Sequence, residues 1–206
     1  MSSSSFWDAR YGEPGFTYGT SPNEFLVAAA GYIPRGRVLC LAEGEGRNAV
    51  YLAGLGYEVT AVDSSSVGMK KAALLADSRN VAIEAVVADL AEYEIEPNHW
   101  DGIVAIFAHL PPALRARVHR AAVKGLRPGG AFVLEAYTPR QLKLGTGGPQ
   151  SLELLMSLES LRDELRGLDL VVARETEREV NEGQFHRGPG AVVQVVGEIG
   201  GYTEGA

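Results

Sequence analysis

The stretch Arg37-Val38-Leu39-Cys40-Leu41-Ala42-Glu43-Gly44-Glu45-Gly46-Arg47-Asn48-Ala49 decides how the chain is read. Val38–Leu41 is a short unbroken apolar run, the pattern of a strand buried on both faces of a parallel sheet. Directly behind it, Gly44 and Gly46 belong to a G-x-G-x-x-A turn. Glycine lets a backbone turn sharply and approach a ligand without a Cβ in the way. Small and apolar residues at helical spacing over 48–55 predict a helix after the turn. Its first N–H groups and positive dipole end would face whatever the turn holds.

Working outward, strand and helix patterns alternate. Strands are predicted over 57–62, 81–87, 100–107 and 131–137, and helices over 66–76 and 111–124. The second of these helices has proline near its first turn, where a missing N–H costs nothing. Pro128-Gly129-Gly130 reads as a turn before the fifth strand, and 151–165 as a helix with apolar Leu152, Leu155, Met156, Leu158, Leu161 and Leu165. Strands over 168–180 and 191–199, with about ten polar and glycine-rich residues between them, suggest a closing antiparallel hairpin. Such alternation predicts an α/β fold, a doubly wound, mainly parallel sheet with helices on both faces. Ligands of such sheets bind beyond the carboxyl ends of the strands. The first 35 residues are aromatic and irregular (Phe6, Trp7, Tyr11, Phe16, Tyr18) and read as a cap on a core spanning 36–200, the whole of 1–206 being one domain. Ser2–Ser5 reads as a frayed terminus.

Chemistry is therefore sought after each strand. Asp63, with Ser64 beside it, ends the second strand. An acid there can accept hydrogen bonds from both hydroxyls of a ribose, and it can equally cap the helix that follows. Ala88-Asp89-Leu90 follows the third strand and suits an adenine, with a carboxylate for the exocyclic amine and alkyl groups for the ring face. Glycine turn plus spaced acid implies an adenosine-containing cofactor, either a nicotinamide dinucleotide or S-adenosylmethionine.

Asp89 and the turn Leu126-Arg127-Pro128-Gly129-Gly130 separate the two. With them the sequence resembles the class I S-adenosylmethionine-dependent methyltransferases from Trp7 to Gly197. Ala42–Ala49 resembles that family's glycine motif, Asp63 its ribose acid, Asp89 its adenine acid and Leu126–Gly130 its L-[RK]-P-G-G turn. Gly46–Ala53, Gly56–Val59, the opening Trp7-Asp8-x-Arg10-Tyr11 and Tyr18-Gly19-x-x-Pro22-Asn23 are similar to the tellurite-resistance and thiopurine methyltransferase-like branch.

The resemblance implies a Rossmann-like seven-stranded sheet with an antiparallel last strand. It also implies methyl transfer from S-adenosylmethionine to a small-molecule acceptor by direct displacement. On the cofactor side it points to Tyr18, Ala42, Glu43, Gly44, Gly46, Asn48, Asp63, Ser64, Ala88, Asp89, Leu90 and Ile106. On the acceptor side it points to His109 and Tyr137, with Arg140 as a candidate for an anionic acceptor, 143–149 as a candidate lid and His186 at the pocket mouth. The glycine motif departs from the family's D-x-G-x-G-x-G, with Cys40 for the acid and Ala42 for the first glycine. Alanine predicts a negative φ at 42. Glu43 is a candidate for the cofactor's ammonium, and Glu45 reads as solvated. A nicotinamide-dependent oxidoreductase on a similar fold and a catalytically idle cofactor-binding protein are the competing readings. The first finds no Tyr-x-x-x-Lys pair, and the second is kept open by the altered glycine motif.

Composition narrows the classes further. The 19 basic and 26 acidic residues give a net charge of -7, which disfavours nucleic acid as the main partner. Cys40 is the single cysteine, so no internal disulfide forms. The histidines at 99, 109, 119 and 186 have no zinc-ligand spacing, so no metal is expected. Met1–Gly12 lacks the basic and apolar regions of a signal peptide, and no apolar run approaches the ~20 residues that span a membrane. A cytoplasmic protein is the default expectation, and oligomeric state is not readable. Glycine, at 25 of 206 residues, exceeds its usual share of about 7%, and many of these glycines fall in the loops above.

Overall fold

The structure is a computed structural model and describes residues 3–183 and 185–200. Two helices, α1 (Ser3–Tyr11) and α2 (Glu24–Ala29), precede the first strand. The sequence reading of this region as irregular, with serines 3–5 frayed, is corrected: those serines form the first turn of α1, and Ser2 lies outside the described residues. Asn23 starts α2 by accepting the Leu26 amide on its side chain at 2.9 Å.

The core then alternates β1 (Arg37–Leu41), α3 (Arg47–Gly54), β2 (Glu58–Asp63), α4 (Ser66–Ser78), β3 (Glu84–Val87), β4 (Trp100–Ile106), α5 (Pro112–Gly125) and β5 (Leu126–Tyr137). It closes with α6 (Leu158–Glu164), β6 (Asp169–Glu182) and β7 (His186–Glu198). The seven strands lie in the order β3-β2-β1-β4-β5-β7-β6. β1 to β5 are parallel, and β7 runs antiparallel to both β5 and β6. The expected doubly wound sheet with its antiparallel last strand is present.

Alternate residues of the central strands feed opposite faces, because successive side chains of a strand point to opposite sides. Leu39, Leu41, Ile103, Ala105, Phe132 and Leu134 pack with Val118 and Ala122 of α5 and Leu161 of α6. Val38, Cys40, Val104, Ile106, Ala131 and Val133 pack with Leu26 of α2, Ala49 and Leu52 of α3 and Met69 and Ala72 of α4.

Three element boundaries depart from expectation. The helix expected over 151–165 is a 3₁₀ turn at Leu152–Leu154 and then the seven-residue α6, started by Ser157, whose hydroxyl accepts the Ser160 amide at 3.1 Å. An N-cap inside a continuous apolar pattern divides it. The turn at 128–130 is absorbed as an irregularity within β5: Trp100 pairs with Leu126, whereas Gly102 pairs with Ala131. The hairpin link is three residues, not about ten, because β6 and β7 stay paired out to Glu182 and His186. Polar residues along 177–182 and 186–190 form a two-stranded ribbon, and polarity alone does not distinguish that from a loop.

Candidate functional site

The predicted cofactor residues converge along the carboxyl edge of β1, β2 and β3. Ala42 follows β1 with φ of 50°, not the negative angle expected, so a side-chain-bearing residue adopts the left-handed turn here. That conformation costs an L-residue roughly 1–2 kcal/mol. The turn carries two further positive φ angles, 64° at Gly44 and 86° at Gly46. Both positions also lack room. A Cβ on Gly44 would lie 2.5 Å from the Tyr11 hydroxyl, and one on Gly46 would lie 2.5 Å from the Cβ of Ala72. Gly46 is the N-cap of α3, and its carbonyl accepts the Val50 amide at 2.9 Å.

Asp63 accepts backbone amides from two turns. Its Oδ1 accepts the Ser65 amide at 2.8 Å and its Oδ2 the Gly44 amide at 2.9 Å, so it braces the turn before α4 and the glycine turn together. Each oxygen keeps a lone pair for a further donor. Burial raises the Asp63 pKa despite these bonds. Ser64 is half-buried beside it. The Ala88 amide donates to the Asp63 carbonyl at 2.9 Å, which sets Asp89 next to this edge. Asp89 is exposed, with Oδ1 taken by the Ala91 amide at 2.8 Å. Leu90 is buried and borders a cavity of about 480 Å³ shared with Tyr93, Ile95, Arg117 and Val118.

Glu43 turns back onto α3. Its Oε1 accepts the amides of Asn48 at 2.9 Å and Ala49 at 2.8 Å, satisfying two N–H groups that a helix start leaves open. Burial pushes its pKa up to about 7, against the opposing pull of those bonds and of Arg47. Glu45, expected to be solvated, is buried: Lys71 pairs with it at 3.0 Å and the Tyr18 amide donates to it at 3.2 Å. The cap segment, folded over the loop, excludes water from it.

Asn48 links this loop to a network that the sequence reading missed. Its Oδ1 accepts the Asn23 amide at 2.9 Å. The Asn23 side chain donates to Glu182 at 2.9 Å and to Glu135 at 3.3 Å. Arg178 pairs with Glu135 and with Glu182, each at 2.7 Å, and Arg47 pairs with Glu182 as well. Glu135 is fully buried. Its sequence signal was one acid inside the apolar run Phe132-Val133-Leu134-Glu135-Ala136-Tyr137, since buried charges are kept only with partners.

The acceptor-side candidates gather after β4 and β5. Phe107, immediately past Ile106, has φ of 53°, an uncommon angle for an aromatic residue. Its ring lies 4.6 Å from Tyr137 and 4.6 Å from His186, and His186 lies 4.7 Å from Tyr18. His109 stacks near the same group, with its Nδ1 2.8 Å from the Leu154 carbonyl and the Tyr137 amide 3.5 Å from its Nε2. A carbonyl partner requires Nδ1–H, so Nε2 is the acceptor. Burial lowers the His109 pKa to about 4 and that of His186 to about 3, so both are neutral at pH 7. The Nδ1 of His186 is buried with no partner among the described residues. Burial holds the Tyr137 hydroxyl protonated, its pKa well above the usual value. Gly148 packs on the Tyr137 ring, where a Cβ would come within 2.6 Å, so 143–149 lies folded against this wall. Arg140 is turned outward and pairs with exposed Glu177 at 2.6 Å.

An adenosine fits these residues. Two acids stand at successive strand ends with acceptor capacity left over, and Leu90 and Ile106 supply buried apolar surface. The methionyl end fits differently, because Glu43 already occupies the α3 amides at 48 and 49.

Comparison with known proteins agrees with this geometry. Residues 38–130 match the family described as "Methyltransferase domain". No curated protein sequence matches the chain. Among solved structures, one from work on the conversion of a disulfide bond into a thioacetal group in echinomycin biosynthesis is 21% identical, with TM-score 0.78, covering 98% of this chain and 93% of that one. TehB from Haemophilus influenzae is 18% identical, with TM-score 0.71, over 95% of this chain and 66% of its own. An S-adenosylmethionine-dependent methyltransferase from Clostridium acetobutylicum is 14% identical, with TM-score 0.66, over 86% and 90%. At these identities the likeness speaks for the fold. Residues 38–130 thus match a methyltransferase domain, set within a fold that the chain shares with S-adenosylmethionine-dependent methyltransferases.

Proposed function

We propose that this enzyme transfers a methyl group to a small-molecule acceptor by direct displacement, and that 1–206 acts as one domain. The observation that carries the reading is the meeting of two half-sites: the glycine turn with Asp63 and Asp89, and the ring group Tyr18, Phe107, Tyr137 and His186. In this reading Asp63 receives the ribose hydroxyls, Asp89 the adenine amine, and Leu90 and Ile106 the ring face. Tyr18, Ala42, Gly44, Gly46 and Ser64 border the cofactor, with Glu43 and Asn48 shaping its loop from behind. S-adenosylmethionine supplies a methyl already activated by a sulfonium.

The remaining work belongs to the chain. The aromatic wall excludes water and orients the acceptor, an effect that can lower a barrier by roughly 7–11 kcal/mol. His109 and His186 are neutral, so neither repels a cation nor attracts an anion by its own charge. With both its nitrogens occupied, His109 acts by holding the wall to the 152–154 turn. An acceptor that arrives deprotonated needs no base.

The test is labelled methyl transfer to a panel of thiols, oxyanions and small amines, run beside S-adenosylhomocysteine binding. Transfer to at least one small acceptor is expected. Methylation of protein or nucleic acid alone would overturn the acceptor class.

A further inference from the structure

Among the described residues, charge accounting around the proposed site leaves one cation over. Arg47, Arg178, Lys71 and Arg10 border it. Arg47 pairs with Glu182, Arg178 with Glu135 and Glu182, and Lys71 with Glu45. Arg10 makes no ion pair among the described residues, although it is half-buried and held in place. Its Nη1 donates to the Tyr18 hydroxyl at 3.4 Å, and its guanidinium lies 4.1 Å from the Phe185 ring and 5.2 Å from the Phe6 ring. Such fixing ahead of ligand cuts the ordering cost of binding.

Arg10 also sits where the cofactor's amino-acid end must lie. Its neighbour Tyr11 packs on Gly44 of the glycine turn, and its partner Tyr18 donates a backbone N–H to Glu45 of the same turn. The carboxylate of that end needs a counter-charge. A helix N-terminus can take an anion, yet the first amides of α3 at 48 and 49 are consumed by Glu43, and Glu43 and Glu45 make the turn itself acidic. We propose that Arg10 binds the carboxylate of the cofactor's methionyl end. This rests on the reading of the cleft as the S-adenosylmethionine site.

The test is calorimetric binding of two ligands to the full chain. S-adenosylhomocysteine has the amino-acid end, and 5′-methylthioadenosine keeps the adenosine and sulfur without it. The parent is expected to bind both. Arg10→Met is expected to weaken S-adenosylhomocysteine by about 10–100-fold, the range for a lost hydrogen bond to a charged group, and methylthioadenosine by less than about twofold. Arg10→Lys keeps the charge and loses the fork, so its loss is smaller and again confined to S-adenosylhomocysteine. That variant decides the matter if Arg10→Met does not melt cooperatively. Equal losses on both ligands would assign Arg10 to the fold of the cap and overturn the proposal. Unchanged S-adenosylhomocysteine binding would also overturn it and leave Arg10 to the acceptor. A parent that binds neither ligand would overturn the cofactor reading of the cleft, and this proposal with it.

Discussion

The two halves of the proposed site are built in different ways. The cofactor half is made of short loops held mostly by near neighbours, with Asp63 bracing Ser65, Glu43 capping Asn48 and Ala49, and Asp89 capping Ala91, while Asp63, Tyr18 and Lys71 hold the glycine turn from 19 to 27 positions away. The acceptor half is made of segments that meet only in the folded chain. Asn23 reaches Glu135 across 112 positions and Glu182 across 159. A half built locally can be disturbed with little effect elsewhere. A half built from buried, paired charges fails as a unit.

The largest effect is expected from the paired half. Glu135→Ala leaves Arg178 without one of its two buried carboxylates and is predicted to cost about 3–5 kcal/mol of unfolding free energy, read from denaturant midpoints. A cost below 1 kcal/mol would show that the two halves do not differ in this way.

Glu43→Gln tests the local half by pH. A carboxyl raised by burial to about 7 makes the folded state increasingly unfavourable as pH climbs from about 4.5 through 7. Glutamine keeps an acceptor for the Asn48 and Ala49 amides without the charge. The variant is therefore expected to gain on the parent above pH 7, by up to about 3 kcal/mol, with the gain vanishing toward pH 4.5. His109 and His186, with lowered values of about 4 and about 3, act with the opposite sign. Their contribution is present above pH 6.5 and lost as pH falls, and it cancels between parent and variant. A pH-independent difference would show that Glu43 is not the titrating group.

Asp63→Ala should act on affinity, weakening S-adenosylhomocysteine by about 1–3 kcal/mol in a binding titration. Unchanged binding would move the ribose elsewhere. At the small end, Arg140→Ala removes an exposed pair with Glu177 and should shift stability by less than about 1 kcal/mol. A loss of acceptor turnover in that variant would return Arg140 to the site.

The same contrast explains what could be read from the chain. Gly44, Gly46, Asp63 and Asp89 sit at fixed offsets from strand ends, so periodicity and turn chemistry were enough to place them. Glu135 announced only that it needed a partner, and Arg178 and Glu182 lay in a polar run that looked like surface. Glu45 looked solvated because nothing local says that Tyr18 and Lys71 fold over it. Ala42 failed for another reason: a rule about one residue's φ was overridden by a turn that Gly44, Asp63 and α3 hold from outside.

The placement of β7 has a consequence for the order of manufacture. The residues of all five parallel strands have been synthesised once a ribosome has passed Tyr137, but β6 has no slot in the sheet until β7, made after it, pairs with β5. Glu182 and His186 can then meet Asn23 and Tyr18, which were synthesised first. At about 5–20 residues per second the last strand follows β5 by seconds, and the aromatic group closes only when the first and last parts of the chain come together.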